Sequence, residues 1–143
     1  MIPIAQVLEL LRGVGAQAEE ERIAGGDHVV ALDPNDLLPA TQRLLEAYPE
    51  LHLSAMTATQ DEDGLSVLYH FWLGWGLSLR VAVPGEMGEL PSILHVLPAA
   101  DWYEREAHEL YGIHFSGRPE LSPLLTSQAL GDQPPMRPEG DGE

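Results

Sequence analysis

Residues 64 to 83 read GLSVLYHFWLGWGLSLRVAV. Leu65, Val67, Tyr69, Phe71 and Leu73 recur at every second position. After Gly74-Trp75-Gly76 the alternation resumes at Leu77, Leu79, Val81 and Val83, with Ser78 and Arg80 between them. Successive side chains of a strand point to opposite faces, so this pattern predicts two neighbouring antiparallel strands that bury one face. Asp63-Gly64 just upstream is hairpin-turn chemistry, and residues 51–60 supply a third strand before it. Tyr69, Phe71 and Trp72 are read as core and cross-strand packing residues.

Helices flank this meander. Ile4, Val7, Leu8 and Leu11 share one helical face, and Gly13 stops that helix. Two short apolar segments, residues 18–23 and 28–32, surround Gly25-Gly26-Asp27 and predict a hairpin. Asp33-Pro34-Asn35 opens a helix that ends at Tyr48, before Pro49. Residues 84–91 read as a glycine-containing loop. A further helix is expected from Trp102 to Tyr111, with Asp101 as N-cap, Glu104 completing a capping box and Gly112 as the stop. Beyond it, IHFSGRPELSPLL has apolar anchors and prolines but no helical period, which marks an extended arm. The expected fold is therefore α+β: an antiparallel-rich sheet with helices packed on one face, followed by an extended C-terminal arm. Residues 1–125 form one domain with its arm, and the acidic, Gly/Pro-rich residues 126–143 form a tail expected to be disordered.

Composition removes several functions. The net charge is −16, and all seven basic residues are arginines. Nucleic-acid binding needs cations to displace the counterions condensed on phosphates, so no nucleic-acid partner is expected. Anionic membrane surfaces are disfavoured by the same sign. The acidity suits a partner with a basic surface and also serves solubility. With no cysteine there is no disulfide, thiolate zinc site or cysteine-held iron–sulfur cluster. Electrons of any redox process would travel through another chain. No stretch approaches the ~20 apolar residues that span a bilayer. The N-terminus lacks a basic n-region, so no signal peptide is read and a cytoplasmic location is expected.

The chemical motifs are incomplete. Residues 13–18 match GxGxxA, but they follow a helix and precede a strand, the reverse of a dinucleotide-binding turn. HELYGIH, residues 108–114, begins like the zinc-binding HExxH, yet Gly112 stands where the second histidine belongs. A mixed site from Glu104, His108 and His114 is the metal alternative. Glu106 and Glu109 lie about 60° apart on a helix and share a face. They could hold a cation, or Arg105 could pair with Glu109 while a partner's arginine takes Glu106.

The stretch PSILHVLPAADWYEREAHELYGIHFSGRPELSPLL, residues 91–125, resembles the signature region of the C-subunit of respiratory complex I, the proton-pumping NADH:quinone oxidoreductase. The same module occurs in energy-converting nickel–iron hydrogenases and formate hydrogenlyases. Pro91-Ser92, Ala100, Trp102, Glu104-Arg105-Glu106, Glu109 to Ile113, Phe115, Gly117, Pro119, Leu121 and Leu124-Leu125 carry the resemblance. It implies a noncatalytic structural and assembly subunit without cofactor, peripheral on the cytoplasmic face of the membrane. The implied partners are the large hydrogenase-like subunit and the small iron–sulfur subunit of the same complex. The implied interface comprises Trp102, Arg105, Glu106, Glu109, Tyr111, Ile113, Phe115, Gly117, Arg118, Pro119 and Leu121. The chain departs from the pattern at Arg118, where Gly-His-Pro is expected, and at Ser122-Pro123, where an arginine is expected. Two readings from other classes stand beside this one: a metal-dependent enzyme built on Glu104, His108 and His114, and an acidic adaptor for a basic protein.

Overall fold

The alternating segments of the sequence are strands of one sheet. The structure, a computed structural model, describes residues 2–13, 19–24, 27–62, 64–85 and 88–119. Its elements are α1 (Ile4–Gly13), β1 (Glu19–Ala24), β2 (Asp27–Leu32), α2 (Leu37–Ala47), β3 (His52–Asp61), β4 (Gly64–Trp72), β5 (Gly76–Ala82), β6 (Glu89–Pro91), α3 (Ala100–Tyr111) and β7 (His114–Ser116). Five strands pair in the order β1-β2-β5-β4-β3. Every neighbouring pair is antiparallel except β2 with β5. That parallel pair is possible because α2, β3 and β4 intervene and supply the long crossover it requires. It sets Val30 beside Leu79 and Leu32 beside Val81.

The residues that alternate in the sequence form the core. Leu65, Val67, Tyr69, Phe71, Leu77, Leu79 and Val81 join one buried cluster with Val7 and Leu11 of α1, Leu37, Ala40 and Leu44 of α2, and Ala100 and Ala107 of α3. The three helices thus pack on one sheet face, as expected. Full burial of a side chain such as Phe71 contributes roughly 1.5–3 kcal/mol. The other face is less open than simple alternation implies, since Ser66 and Ser78 are buried there.

Local chemistry sets the element ends. Asp33 accepts a hydrogen bond from the Asn35 N–H at 2.9 Å and caps a short 3-10 turn, Pro34–Asp36, that leads into α2. Pro39 sits in the first turn of α2, where a missing N–H leaves no bond unmade. A bulge in β3 between Leu53 and Ala55 turns the Ser54 backbone out of the ladder. The Tyr103 hydroxyl of α3 then donates to the Ser54 carbonyl at 3.0 Å. Trp75, in the β4–β5 turn, donates its ring N–H to the Ile2 carbonyl at 2.7 Å and ties down the N-terminal end.

Three local expectations are corrected. Tyr69 and Phe71 are core, but Trp72, at the end of β4 on the opposite face, is 49% exposed. Asp101 does not cap α3: Ala99 is the N-cap, without a side-chain cap bond, and the carbonyls of Leu97 and Pro98 take the N–H groups of Ala100 and Asp101. Residues 84–91 are not wholly loop, because β6 runs parallel to β7 with Leu90 beside Phe115. Strands of three residues are too short for a period to reveal. The helix stop is as expected: Gly112 has φ +74°, and its N–H bonds the His108 carbonyl at 2.9 Å. Residues 120–125 of the expected arm, the 126–143 tail, Val14–Ala18 and Asp63 lie outside the described residues. Among the described residues no helix is long and apolar enough to cross a membrane.

Candidate functional site

Helix α3 has an inner and an outer side, and charged residues occupy both. On the inner side Glu104 is completely buried. Its carboxylate accepts from the Ser92 hydroxyl at 2.7 Å, the Ile93 N–H at 2.9 Å and Arg118 Nη1 at 2.9 Å. Arg118 Nη2 donates to Asp101, and Arg105 Nε reaches the same carboxylate at 3.2 Å. Asp101 and Glu104 are three residues apart, so they lie on neighbouring positions of one helix flank. After β7 the chain turns at Gly117, whose φ of +83° suits glycine, and carries Arg118 back over that flank. The Arg118 side chain is only 3% exposed.

This node reshapes proton affinities. The Arg118 hydrogen bond, helped by Arg105, outweighs desolvation and holds the Asp101 carboxyl below its usual range. Burial alone would loosen the Arg118 proton, but bonds to Asp101 and Glu104 outweigh it and hold the proton more firmly than usual. Burial, with the Glu104 charge adding to it, pushes the Tyr69 hydroxyl well above the ordinary value of 10.0. Among the described residues neither Tyr69 Oη nor Arg118 Nε has a hydrogen-bond partner. With three donors on it, Glu104 is placed to hold residues 92–93, α3 and residue 118 together.

A test of Tyr69 follows from these facts. A neutral hydroxyl favoured in the folded state gives a contribution fully present below pH 10.0, the unfolded value, and lost as pH rises beyond it. Wild-type stability is therefore expected to fall above about pH 10. Tyr69→Phe should remove that part of the fall and, by deleting an unpartnered buried hydroxyl, match or exceed wild type at pH 7 by up to about 1 kcal/mol. Denaturant melts at both pH values check this, and a loss above ~2 kcal/mol at pH 7 would mean that the hydroxyl has a partner after all.

The residues expected at an interface are sorted by the fold. Trp102 is 59% exposed and Glu106, one turn on, is also exposed. Arg105 is half-buried against Asp101. Glu109 is buried at 8% exposure, so it does not converge with Glu106 on one open face. Tyr111 packs against the core from its edge, while Ile113 and Phe115 lie within it. Gly117 and Pro119 are exposed, and Leu121 lies outside the described residues. Glu104 points to Ser92, so it does not join His108 and His114, whose ring centres are 5.9 Å apart. No three His, Cys, Asp or Glu side chains among the described residues group as a metal site.

One constellation is not legible in the sequence alone. On the sheet face away from the helices, His70 Nδ1 meets Ser78 Oγ at 2.7 Å and His70 Nε2 meets Thr57 Oγ1 at 2.9 Å. The signal was the polar residues between the apolar ones, and it becomes legible only with the register that sets His70 opposite Ser78.

Comparison with known proteins adds to this geometry. Residues 30–143 match the family described as respiratory-chain NADH dehydrogenase, 30 kDa subunit. The NADH-quinone oxidoreductase C-subunit of Methylobacterium radiotolerans is 32% identical over 139 residues, which cover 92% of this chain and 65% of that protein. The corresponding C-subunit of Rhodopseudomonas palustris is 45% identical over 75 residues, covering 50% of this chain and 36% of the relative. The chain thus spans less than two thirds of the length of these relatives. The trypsin-resistant fragment of Nqo5 has a similar fold, with a TM-score of 0.61 at 24% identity over 82% of this chain and 98% of the fragment. A chain of the membrane-bound sulfane sulfur reductase, an archaeal respiratory membrane complex, has a TM-score of 0.63 at 19% identity, covering 83% of this chain and 71% of its own.

Proposed function

The chain belongs to the family of the 30 kDa subunit of respiratory-chain NADH dehydrogenase, and from that premise we propose that it is a noncatalytic docking and assembly subunit. Its place would be the peripheral arm of a membrane-associated complex of the NADH:quinone oxidoreductase type, on the cytoplasmic face. Its partners are the large hydrogenase-like subunit and the small iron–sulfur subunit. The observation that carries the docking role is the division of α3. Glu104 is sealed inward, while Trp102 stands 59% exposed. Glu106 lies one turn from Trp102 and is exposed too.

Tryptophan is among the residue types enriched at binding hot spots. A carboxylate one turn away suits a partner arginine, which can stack on the indole and pair with Glu106 at once. The net charge of −16 favours a basic partner surface and speeds encounter. In this reading Ile113, Phe115 and Arg118 are the framework that presents the outer side of α3. Arg105 helps through Asp101. The rival metal-dependent enzyme loses its third group, because Glu104 is committed to Ser92, Ile93 and Arg118.

The test is affinity capture of the tagged full-length chain from its native host, with mass spectrometry of what comes with it. The subunits of an oxidoreductase complex are expected. Trp102→Ala combined with Glu106→Arg should lower their recovery at least tenfold, as for loss of a ~2 kcal/mol hot spot. The thermal midpoint should move little, since both side chains are outward. Recovery unchanged by the double substitution would refute the docking face, and capture without any such subunit would refute the assembly role.

A further inference from the structure

We propose that His108 and His114 form a two-histidine site for a divalent transition-metal ion, with Cu²⁺ the best fit, where the end of α3 meets β7. Such a site does not depend on the assembly role, and it departs from the expectation that this chain binds no metal. The two ring centres are 5.9 Å apart and the planes are inclined by 41°. An ion sits ~2.0–2.1 Å from each ligating nitrogen, so rings with centres roughly 5–6 Å apart can share one once their ligating nitrogens turn toward it.

The tautomer of His108 is set by its neighbour. Its Nδ1 lies 2.9 Å from the Ile113 carbonyl, which can only accept, so Nδ1 carries the proton. That leaves the Nε2 lone pair available. A backbone carbonyl holding the far ring nitrogen is the arrangement that orients histidines bound to metals. His108 is half-buried and His114 is exposed, so an ion can enter and water can complete its coordination.

The backbone under both residues is held. The Gly112 N–H bonds the His108 carbonyl at 2.9 Å, and the His114 N–H bonds the Gly88 carbonyl at 2.6 Å. Glu89, exposed, is the cross-strand neighbour of His114 in the parallel β6–β7 pair and adds negative charge beside the site. Imidazole ligands suit copper, nickel and zinc, and the ordinary affinity order places Cu²⁺ first.

The experiment titrates the full-length chain with Cu²⁺ alone, in a non-chelating buffer, by calorimetry and electron paramagnetic resonance. One saturable site with coupling to two imidazole nitrogens is expected. His114→Ala is the decisive variant, because His108→Ala also removes the bond to Ile113. Loss of an outer partner of a metal ligand already costs about 10–100-fold in affinity, so loss of His114 itself should cost at least tenfold and leave coupling to a single nitrogen. The metal-free His114→Ala chain should keep the wild-type thermal midpoint, which ties the loss to the ligand. Absence of a saturable site in wild type, or a His114→Ala chain that binds Cu²⁺ as wild type does, overturns the proposal.

Discussion

Glu104→Ala is expected to cost about 3–5 kcal/mol of folding stability, the range for removing one partner of a buried ion pair. Three consequences meet at that side chain. Arg118, 3% exposed, loses the more deeply buried of its two carboxylates and remains a buried cation. The Ser92 hydroxyl and the Ile93 N–H lose their acceptor together. The space left lies under α3, beside the buried core, and a cavity there adds to the cost. A loss of this size lowers the thermal midpoint by roughly 10 °C or more in a domain of this length. Thermal melts followed by circular dichroism check it, and a midpoint within ~2 °C of wild type would show that the node adds little to the fold. Glu104→Gln keeps an acceptor for Ser92 or Ile93 and should fall between the two. An exposed pair gives the contrast: Arg43 and Glu46, 4.0 Å apart with side chains 44% and 71% exposed, should tolerate Arg43→Ala at a cost of a few tenths of a kcal/mol.

The same residues explain what was legible in the sequence. Period-two alternation from Leu65 to Val83 disclosed β4, β5 and the core face, because one buried face enforces it. The parallel pairing of β2 with β5 was not legible, since the partner strand is chosen by the whole fold. At the start of α3 the local rule lost to a tertiary one. Asp101 and Glu104 have capping-box spacing, but Arg118, seventeen and fourteen residues later, claims both carboxylates. Helical geometry predicted that Glu106 and Glu109 share a face, yet it could not say where the burial boundary runs. That boundary falls between them, with Glu106 exposed and Glu109 buried. Trp102 was legible as an anchor type, while its exposure required knowing which side of α3 meets the sheet.

Arg118→His carries the second large effect, because the pattern that this chain resembles has histidine at that place. The guanidinium fork bonds Glu104 and Asp101 with different nitrogens, a span that a shorter imidazole does not cover. Arg118→Ala is expected to cost about 3–5 kcal/mol by stranding the buried Glu104 carboxylate. Arg118→His should lie close to it at pH 8 and recover in part at pH 6. Partners of opposite charge raise the folded value of such a histidine above its unfolded ~6.5, so its contribution is present below that pH and lost as pH rises through the folded value. Wild type should lack this slope, because arginine stays charged throughout. Its acid slope comes lower: Asp101, depressed below 3.8, contributes above that value and loses the contribution as pH falls through its folded one. Urea midpoints of both chains at pH 6 and 8 decide the matter, and an Arg118→His chain equally stable at the two values would mean that residue 118 does not need its charge. In these terms the departure from Gly-His-Pro to Gly-Arg-Pro exchanges a cation that titrates near neutrality for a permanent one. It keeps the inner side of α3 neutralised at pH 6 and pH 8 alike.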